Sequence, residues 1–209
     1  MSDASVYIHP RALVETSTIG PGTRIWANTH IMKEVRIGQD CNICDGAFIE
    51  SGVVIGRGVT IKQNVLLCEG VTVGDGVFLG PNVVFTNDLH PRSPRLPLIA
   101  QRYQDKGWLL PTVIEPGATL GANATILCGV TIGRWAMVAA GATVVHSIKP
   151  HTLYTGKPGR PLGYLCACTN RLQLEDGRAT CEACGRRYAF SEGELRPEQP
   201  IALWENNLS

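Results

Sequence analysis

Every sixth residue from Ile19 to Phe85 is large and apolar: Ile19, Ile25, Ile31, Ile37, Ile43, Ile49, Ile55, Ile61, Leu67, Val73, Leu79 and Phe85. Two residues before each stands a small or β-branched side chain, from Ser17 and Thr23 through Cys41 and Ala47 to Val83. A period of six matches neither the 3.6 of a helix nor the alternation of a flat strand. It fits a solenoid whose wall is built from six-residue units, each sending one large and one small side chain inward. Gly20, Gly38, Gly56 and Gly74 add a period of eighteen at the corners, so three units make one coil and the cross-section is a triangle.

The register stops at Phe85 and resumes at Ile114, Leu120, Ile126, Ile132, Val138 and Val144, with Thr112, Ala118, Ala124, Val130, Ala136 and Ala142 on the small positions. Uninterrupted, the next unit would fall at position 91, so a loop of 23 residues is inserted between coils. The two runs together give about six coils, a prism about 29 Å tall at about 4.8 Å per strand. Tyr7 and Leu13 are read as continuing the register backwards into a ragged first coil.

The composition agrees with one main domain and a small appendage in 209 residues. A hydrophobic content of 44% with 18% charged residues suits a folded chain. A net charge of +1 offers no general attraction to nucleic acid or membrane. Neither an apolar run long enough for a membrane span nor a secretory signal pattern is visible, so a cytoplasmic location is expected.

The inserted loop, 86–111, carries the chemistry. Arg92, Arg95, Arg102 and Lys106 outnumber Asp88 and Asp105, which suits a phosphate-bearing ligand; long loops in compact repeats are usually functional. On the wall, Trp26 and His30 are candidates for stacking on a base or a sugar, or for packing against a neighbouring subunit. Lys157 and Arg160 bring cations to the end of the prism, where the phosphates of a long ligand lying along it would fall. Stacking at eighteen per coil puts Glu69 below Asn87, and Cys128 above it. That column and the loop above it make Asn87, His90 and Glu69 the catalytic candidates, His90 or Glu69 as proton acceptor, with Asp88, Arg92 and Arg95 as substrate-binding candidates and the backbone amide of Gly141 as a candidate oxyanion donor.

The tail, from about residue 161, has no six-residue period. Cys166-x-Cys168 and Cys181-x-x-Cys184-Gly185 resemble a zinc ribbon, with structural zinc expected on the four thiolates. Cys166-x-Cys168 is the weaker half, with a one-residue spacing and no following glycine. Disulfides are the alternative in an oxidising compartment, and free thiols in a reducing one.

Three stretches carry a family resemblance: Gly22-Thr23-Arg24-Ile25-Trp26, Phe85-Thr86-Asn87-Asp88-Leu89-His90-Pro91-Arg92, and Gly121-Ala122-Asn123-Ala124-Thr125-Ile126. With the hexads they resemble the hexapeptide-repeat acyltransferases, in particular the N-acetyltransferases of UDP- or dTDP-linked 3-amino sugars. Gly156-Lys157-Pro158-Gly159-Arg160 is similar to that family's Gly-Asn-Pro-Ala-Arg ending, with Lys157 and Gly159 departing from it. The resemblance spans roughly residues 8–165 and implies the left hand of the coil, so an all-β, left-handed parallel β-helix (1–160) is expected, followed by the Cys-rich extension (161–209). It also implies a homotrimer, with acetyl-CoA in the groove between adjacent prisms near Gly141, Ala124, Lys157 and Arg160. The nucleotide-sugar substrate would lie at Asn87, for surface polysaccharide (lipopolysaccharide) biosynthesis. The competing readings are a non-catalytic trimeric scaffold, an acyltransferase for another small amine or hydroxyl acceptor, and a β-helical carbonic anhydrase. His9, His30, His90, His146 and His151 show no three-histidine zinc cluster, which disfavours the last.

Overall fold

The computed structural model describes residues 5–204. Short parallel strands of two or three residues stack into three walls. The first wall runs from Tyr7–Ile8 through Arg24–Ile25 to Met137–Val138 and Thr152–Gly156, then continues antiparallel into Gly159–Leu165 and Arg171–Leu172, ten strands in all. The second wall has seven strands, from Leu13–Val14 to Thr143–Val144. The third has five, from Arg36–Ile37 to Thr131–Ile132, extended at both ends by the bridges Ile19–Ile37 and Ile132–Ile148. The result is a parallel solenoid of stacked coils, and its hexads fit a left-handed β-helix.

The inward residues are the ones the period marks. Ile25, Ile31, Ile43, Ile49 and Ile61 are fully buried, as are the small partners Val35, Val53 and Val59. Each wall residue must also turn a corner every six positions, and the left-handed backbone conformation does this. Asn28, Asn64, Asn82 and Asn123 take φ near +58°, and Gly46 and Gly141 take the same place in other coils. Asparagine tolerates that region better than other side chains. The asparagines also form a ladder up this edge: Asn64 donates to Asn82 at 3.3 Å and Asn82 to Asn123 at 3.2 Å.

The glycines with period eighteen answer a different constraint. A methyl group at Gly38 would sit 2.6 Å from the carbonyl of Gly56 in the next coil. The backbones approach too closely there for any side chain.

The first coil departs from the expected register. Tyr7 lies opposite Arg24 and Leu13 opposite His30, an offset of seventeen, whereas Ile19 and Ile37 restore eighteen. The corner between Val14 and Ile19 is one residue short. Ile8 and Val14 therefore occupy the inward register, and Tyr7 and Leu13 face outward, 43% and 56% exposed.

The expected boundary at 160/161 falls inside the strand Gly159–Leu165. That strand leaves the prism as a hairpin whose turn contains a cis Lys157–Pro158 bond. Beyond it the tail has its own small core of Leu172, Ala179, Tyr188 and Leu195 with Cys166 and Cys181, separate from the prism core. The chain then runs back along the prism edge: Trp204 stacks on Arg57, 4.6 Å from ring centroid to guanidinium, and lies over Gly58. Among the described residues no helix is long and apolar enough to cross a membrane.

Candidate active site

The loop leaves the second wall after Val84–Phe85 and rejoins the third at Thr112–Ile114. Its neck is closed by an antiparallel bridge between Asp88 and Leu109 and by the Leu110 amide donating to the Asn87 carbonyl at 3.0 Å. Leu66 lies opposite Val84, and Val84 opposite Thr125. That register puts Glu69 and Cys128 in the column of Asn87, as the stacking arithmetic requires.

The loop has no apolar core; its one 3₁₀ segment, Pro97–Tyr103, buries no residue. A polar knot around Asp88 shapes it. The Asp88 side chain is only 7% exposed, and Arg102 grips both its oxygens at 2.6 and 2.7 Å. The Tyr103 hydroxyl donates to Asp88 at 2.8 Å, and the His90 amide donates to it at 2.9 Å. The Arg102 guanidinium, and after it the His90 amide and the Tyr103 hydroxyl, hold the Asp88 carboxyl well below the usual carboxylate range, against the opposing effect of burial. Asp88, expected at the substrate, is instead committed within the loop.

Glu69 is also partnered. Its carboxylate accepts from the Lys106 ammonium, which raises the lysine's pKa, and its amide donates to Glu50 at 2.7 Å. Two of the loop's four cations are thus consumed by Asp88 and Glu69. Arg92 and Arg95 are exposed, and among the described residues neither takes part in an ion pair. His90 is exposed and Asn87 half-buried. Cys128, in this column, and Cys68, beside it, are both buried; the Cys68 thiol donates to the Phe85 carbonyl at 3.1 Å, and burial pushes it up to about 11, so it is not poised as a nucleophile.

Two of the expected cofactor contacts are already engaged within the prism. The Gly141 amide already donates to the Ala122 carbonyl at 2.7 Å, one of the bonds that tie each coil to the next at this corner, so it is not a free oxyanion donor. Ala124 is fully buried in the prism core and presents nothing to a ligand. Lys157 and Arg160 are exposed on the hairpin beside Gly141. They stand at the edge between the first and second walls, whereas Asn87 and His90 stand at the edge between the second and third. Trp26 and His30 lie three coils below the loop, about 14 Å along the axis. Trp26 donates to Asn42 at 2.8 Å, and His30 is 2.6 Å from Glu15 with its ring edge-on to Phe48. One chain brings Asn87, His90, Arg92 and Arg95 together in one loop, and leaves Trp26, His30, Lys157 and Arg160 apart from it. A cleft of about 780 Å³ lies elsewhere, between the last coils and the tail hairpin.

In the tail the four cysteine sulfurs converge, all within 4.8 Å of one another. Both halves are built alike. The Gly185 amide donates to the Cys181 carbonyl and the Cys181 amide to the Arg186 carbonyl, each at 2.8 Å; Thr169 to Cys166 and Cys166 to Asn170 repeat the pair at 2.8 Å. Thr169 at φ +75° stands where Gly185 stands at +70°. The weak-looking half is the same turn with one residue fewer. The Arg186 amide, with the Cys168 thiol and the Arg186 guanidinium, draws Cys184 down to about 6, while burial pushes Cys166 up to about 12.

The profile described as Bacterial transferase hexapeptide (six repeats) matches residues 16–51, 52–87 and 111–146, either side of the loop. A dTDP-3-amino-3,6-dideoxy-alpha-D-galactopyranose 3-N-acetyltransferase of Aneurinibacillus thermoaerophilus is 46% identical over 192 residues, 92% of this chain and 95% of that protein. The chain belongs to the hexapeptide-repeat bacterial transferase family. Among solved structures, the fold of this hexapeptide transferase is similar to that of AntD, an N-acyltransferase from Bacillus cereus. A mutant AntD in complex with dTDP-4-amino-4,6-dideoxyglucose and coenzyme A matches at a TM-score of 0.55 and 19% identity, over 73% of this chain and 83% of that one. A second AntD complex, with dTDP and coenzyme A, matches at 0.52 and 21%, over 75% and 79%.

Proposed function

We propose that this hexapeptide transferase moves the acetyl group of acetyl-CoA to the 3-amino group of a dTDP-linked amino sugar. The observation that carries the reading is the 46% identity to a 3-N-acetyltransferase across nearly the whole of both chains, loop and tail included. The neutral amine attacks the thioester carbonyl, the tetrahedral oxyanion collapses, and the C–S bond breaks to release the coenzyme A thiolate. The amine's proton passes to an acceptor or to that thiolate. Asn87 orients the amine; His90, exposed and without a side-chain partner among the described residues, is the better acceptor than Glu69, whose carboxylate faces Lys106. Arg92 and Arg95 face the nucleotide phosphates or a sugar carboxylate.

In this reading the working unit is a homotrimer. Lys157 and Arg160 stand on a different edge from Asn87 and His90, so acetyl-CoA in a groove between copies would meet one edge of each. The eight cysteines are all unpaired and both substrates are intracellular metabolites, which supports a cytoplasmic location. The tail is read as a structural zinc ribbon. A tetrahedron of thiolates at about 2.3 Å from zinc has edges of about 3.8 Å, and Cys166–Cys184 at 3.4 Å and Cys168–Cys181 at 3.5 Å fit it. Four thiolates leave no open position, so the metal would fix the tail and not enter the reaction.

The test is an acetylation assay with purified protein, acetyl-CoA and a panel of dTDP- and UDP-linked 3-amino and 4-amino sugars, read by product mass. Acetylation of a dTDP-3-amino sugar with kcat/KM well above the rest is expected. Preference for a 4-amino sugar or for a non-nucleotide acceptor would overturn the assignment.

A further inference from the structure

We propose that Arg102 and Tyr103 are positioning residues that hold the segment from Asn87 to Arg92 in its working conformation. The inference rests on the reading of that segment as the acceptor site. The two side chains hold the His90 carbonyl and the Arg92 amide directly, and the His90 amide through Asp88. Arg102 donates to both oxygens of Asp88 and, at 3.2 Å, to the His90 carbonyl. The Tyr103 hydroxyl accepts from the Arg92 amide at 3.0 Å and from Arg102 at 2.7 Å, and donates to Asp88 at 2.8 Å. Asp88 in turn takes the His90 amide. Amide and carbonyl of His90 and the amide of Arg92 are thus all tied to one knot, while the side chains of His90 and Arg92 are left free for a ligand.

The geometry needs a fork. One guanidinium nitrogen shares its two protons among Asp88, Tyr103 and, at the longer 3.2 Å, the His90 carbonyl, and a second donates to Asp88 alone. A lysine ammonium keeps the charge but cannot hold a carboxylate in two parallel bonds. Little apolar packing substitutes for it: the 3₁₀ segment that carries both residues buries no residue fully, and Tyr103 meets Trp108 ring to ring at 5.6 Å. A knot used only for stability would be expected to tie the loop to the prism. This one ties the loop to its own segment 88–92.

The experiment measures kcat, both KM values, melting temperature and backbone amide exchange at residues 88–92 for wild type, Arg102→Lys, Arg102→Ala and Tyr103→Phe. Arg102→Lys and Arg102→Ala are expected to lower kcat by about 10²-fold, the cost of misplacing a reacting group by about 1 Å. The KM for acetyl-CoA and the melting temperature stay at wild type, and exchange at His90 and Arg92 accelerates. Added methylguanidine restores both the rate and the slow exchange at His90 and Arg92 to Arg102→Ala, with no change in melting temperature. Wild-type kcat in Arg102→Ala, or a loss that follows a lowered melting temperature and resists rescue, overturns the inference. Should the wild type acetylate no nucleotide sugar, the functional reading is what has failed. Exchange then decides the knot alone: unchanged protection at residues 88–92 in Arg102→Ala overturns it, and accelerated exchange upholds it.

Discussion

His90 and Glu69 occupy the same neighbourhood and differ in what already binds them. Glu69 faces an ammonium from its own loop, whereas His90 has its backbone tied and its ring exposed. His90→Ala is therefore expected to lower kcat by about 10²-fold, the size of a lost general base. Glu69→Ala is expected to leave kcat near wild type. If both variants keep the wild-type kcat, the amine loses its proton to water or to the leaving thiolate. A second residue-scale prediction concerns the glycine column. Gly38→Val places its branched side chain against the Gly56 backbone, with no flexible neighbour to yield. A loss of stability of about 3 kcal/mol or more, read by denaturant titration, is expected from such overpacking against main chain.

At the scale of elements, what could be read from the sequence divides by range. The walls were legible because each unit repeats the same large and small inward residues, and an eighteen-residue sum gives its neighbour in the next coil. The first coil was not, because Tyr7-Ile8 and Leu13-Val14 each offer two adjacent apolar residues, and either could have been the inward one. The loop's cations were visible but not their partners. Arg102 meets Asp88 and Lys106 meets Glu69 across 14 and 37 residues of chain with no repeat to mark the pairing. The partner of the Gly141 amide was not legible either, because a glycine at a corner signals only φ, and its amide serves the coil below. In the tail, the cysteine spacing was legible and the equivalence of Thr169 to Gly185 was not. Metal analysis should find about one zinc per chain, with Cys184→Ser losing it and the prism's melting transition unchanged. His151 adds a pH dependence to the same junction. It is buried between the last coil and the tail, bonded through Nδ1 to the Leu165 carbonyl at 3.0 Å and edge-on to Tyr188. Burial holds its pKa below the ordinary value. The unfolded state then binds the proton first, so its contribution is complete above about pH 6.5 and is lost as pH falls below that. Limited proteolysis of the tail should accelerate from pH 7.5 to pH 5.5 in the wild type, and a His151→Gln variant should show a weaker dependence.

For the whole molecule, the decisive question is what covers the second wall. Its outward column reads Leu13, His30, Phe48, Leu66 and Val84 before turning to Thr125 and Thr143, in strict register from coil to coil. Five coils of a flat wall thus present apolar or aromatic side chains outward, and the His30 ring stands edge-on to Phe48 at 5.0 Å, giving the stripe a fixed shape. A soluble monomer rarely leaves so continuous a stripe unmatched. Three prisms, each turning this wall toward a common threefold axis, would cover the stripe on every copy. Sedimentation equilibrium at micromolar concentration is expected to give three times the 22.6 kDa chain mass. Phe48→Glu places a carboxylate in the middle of the stripe, where burial against a second copy would leave it unpaired. That variant is expected to sediment as a monomer with its prism still folded by circular dichroism, and to lose acetyl transfer together with assembly. A monomeric wild type with full activity would mean that one chain holds both substrates, and that the edge of Lys157 and Arg160 plays no part in binding acetyl-CoA.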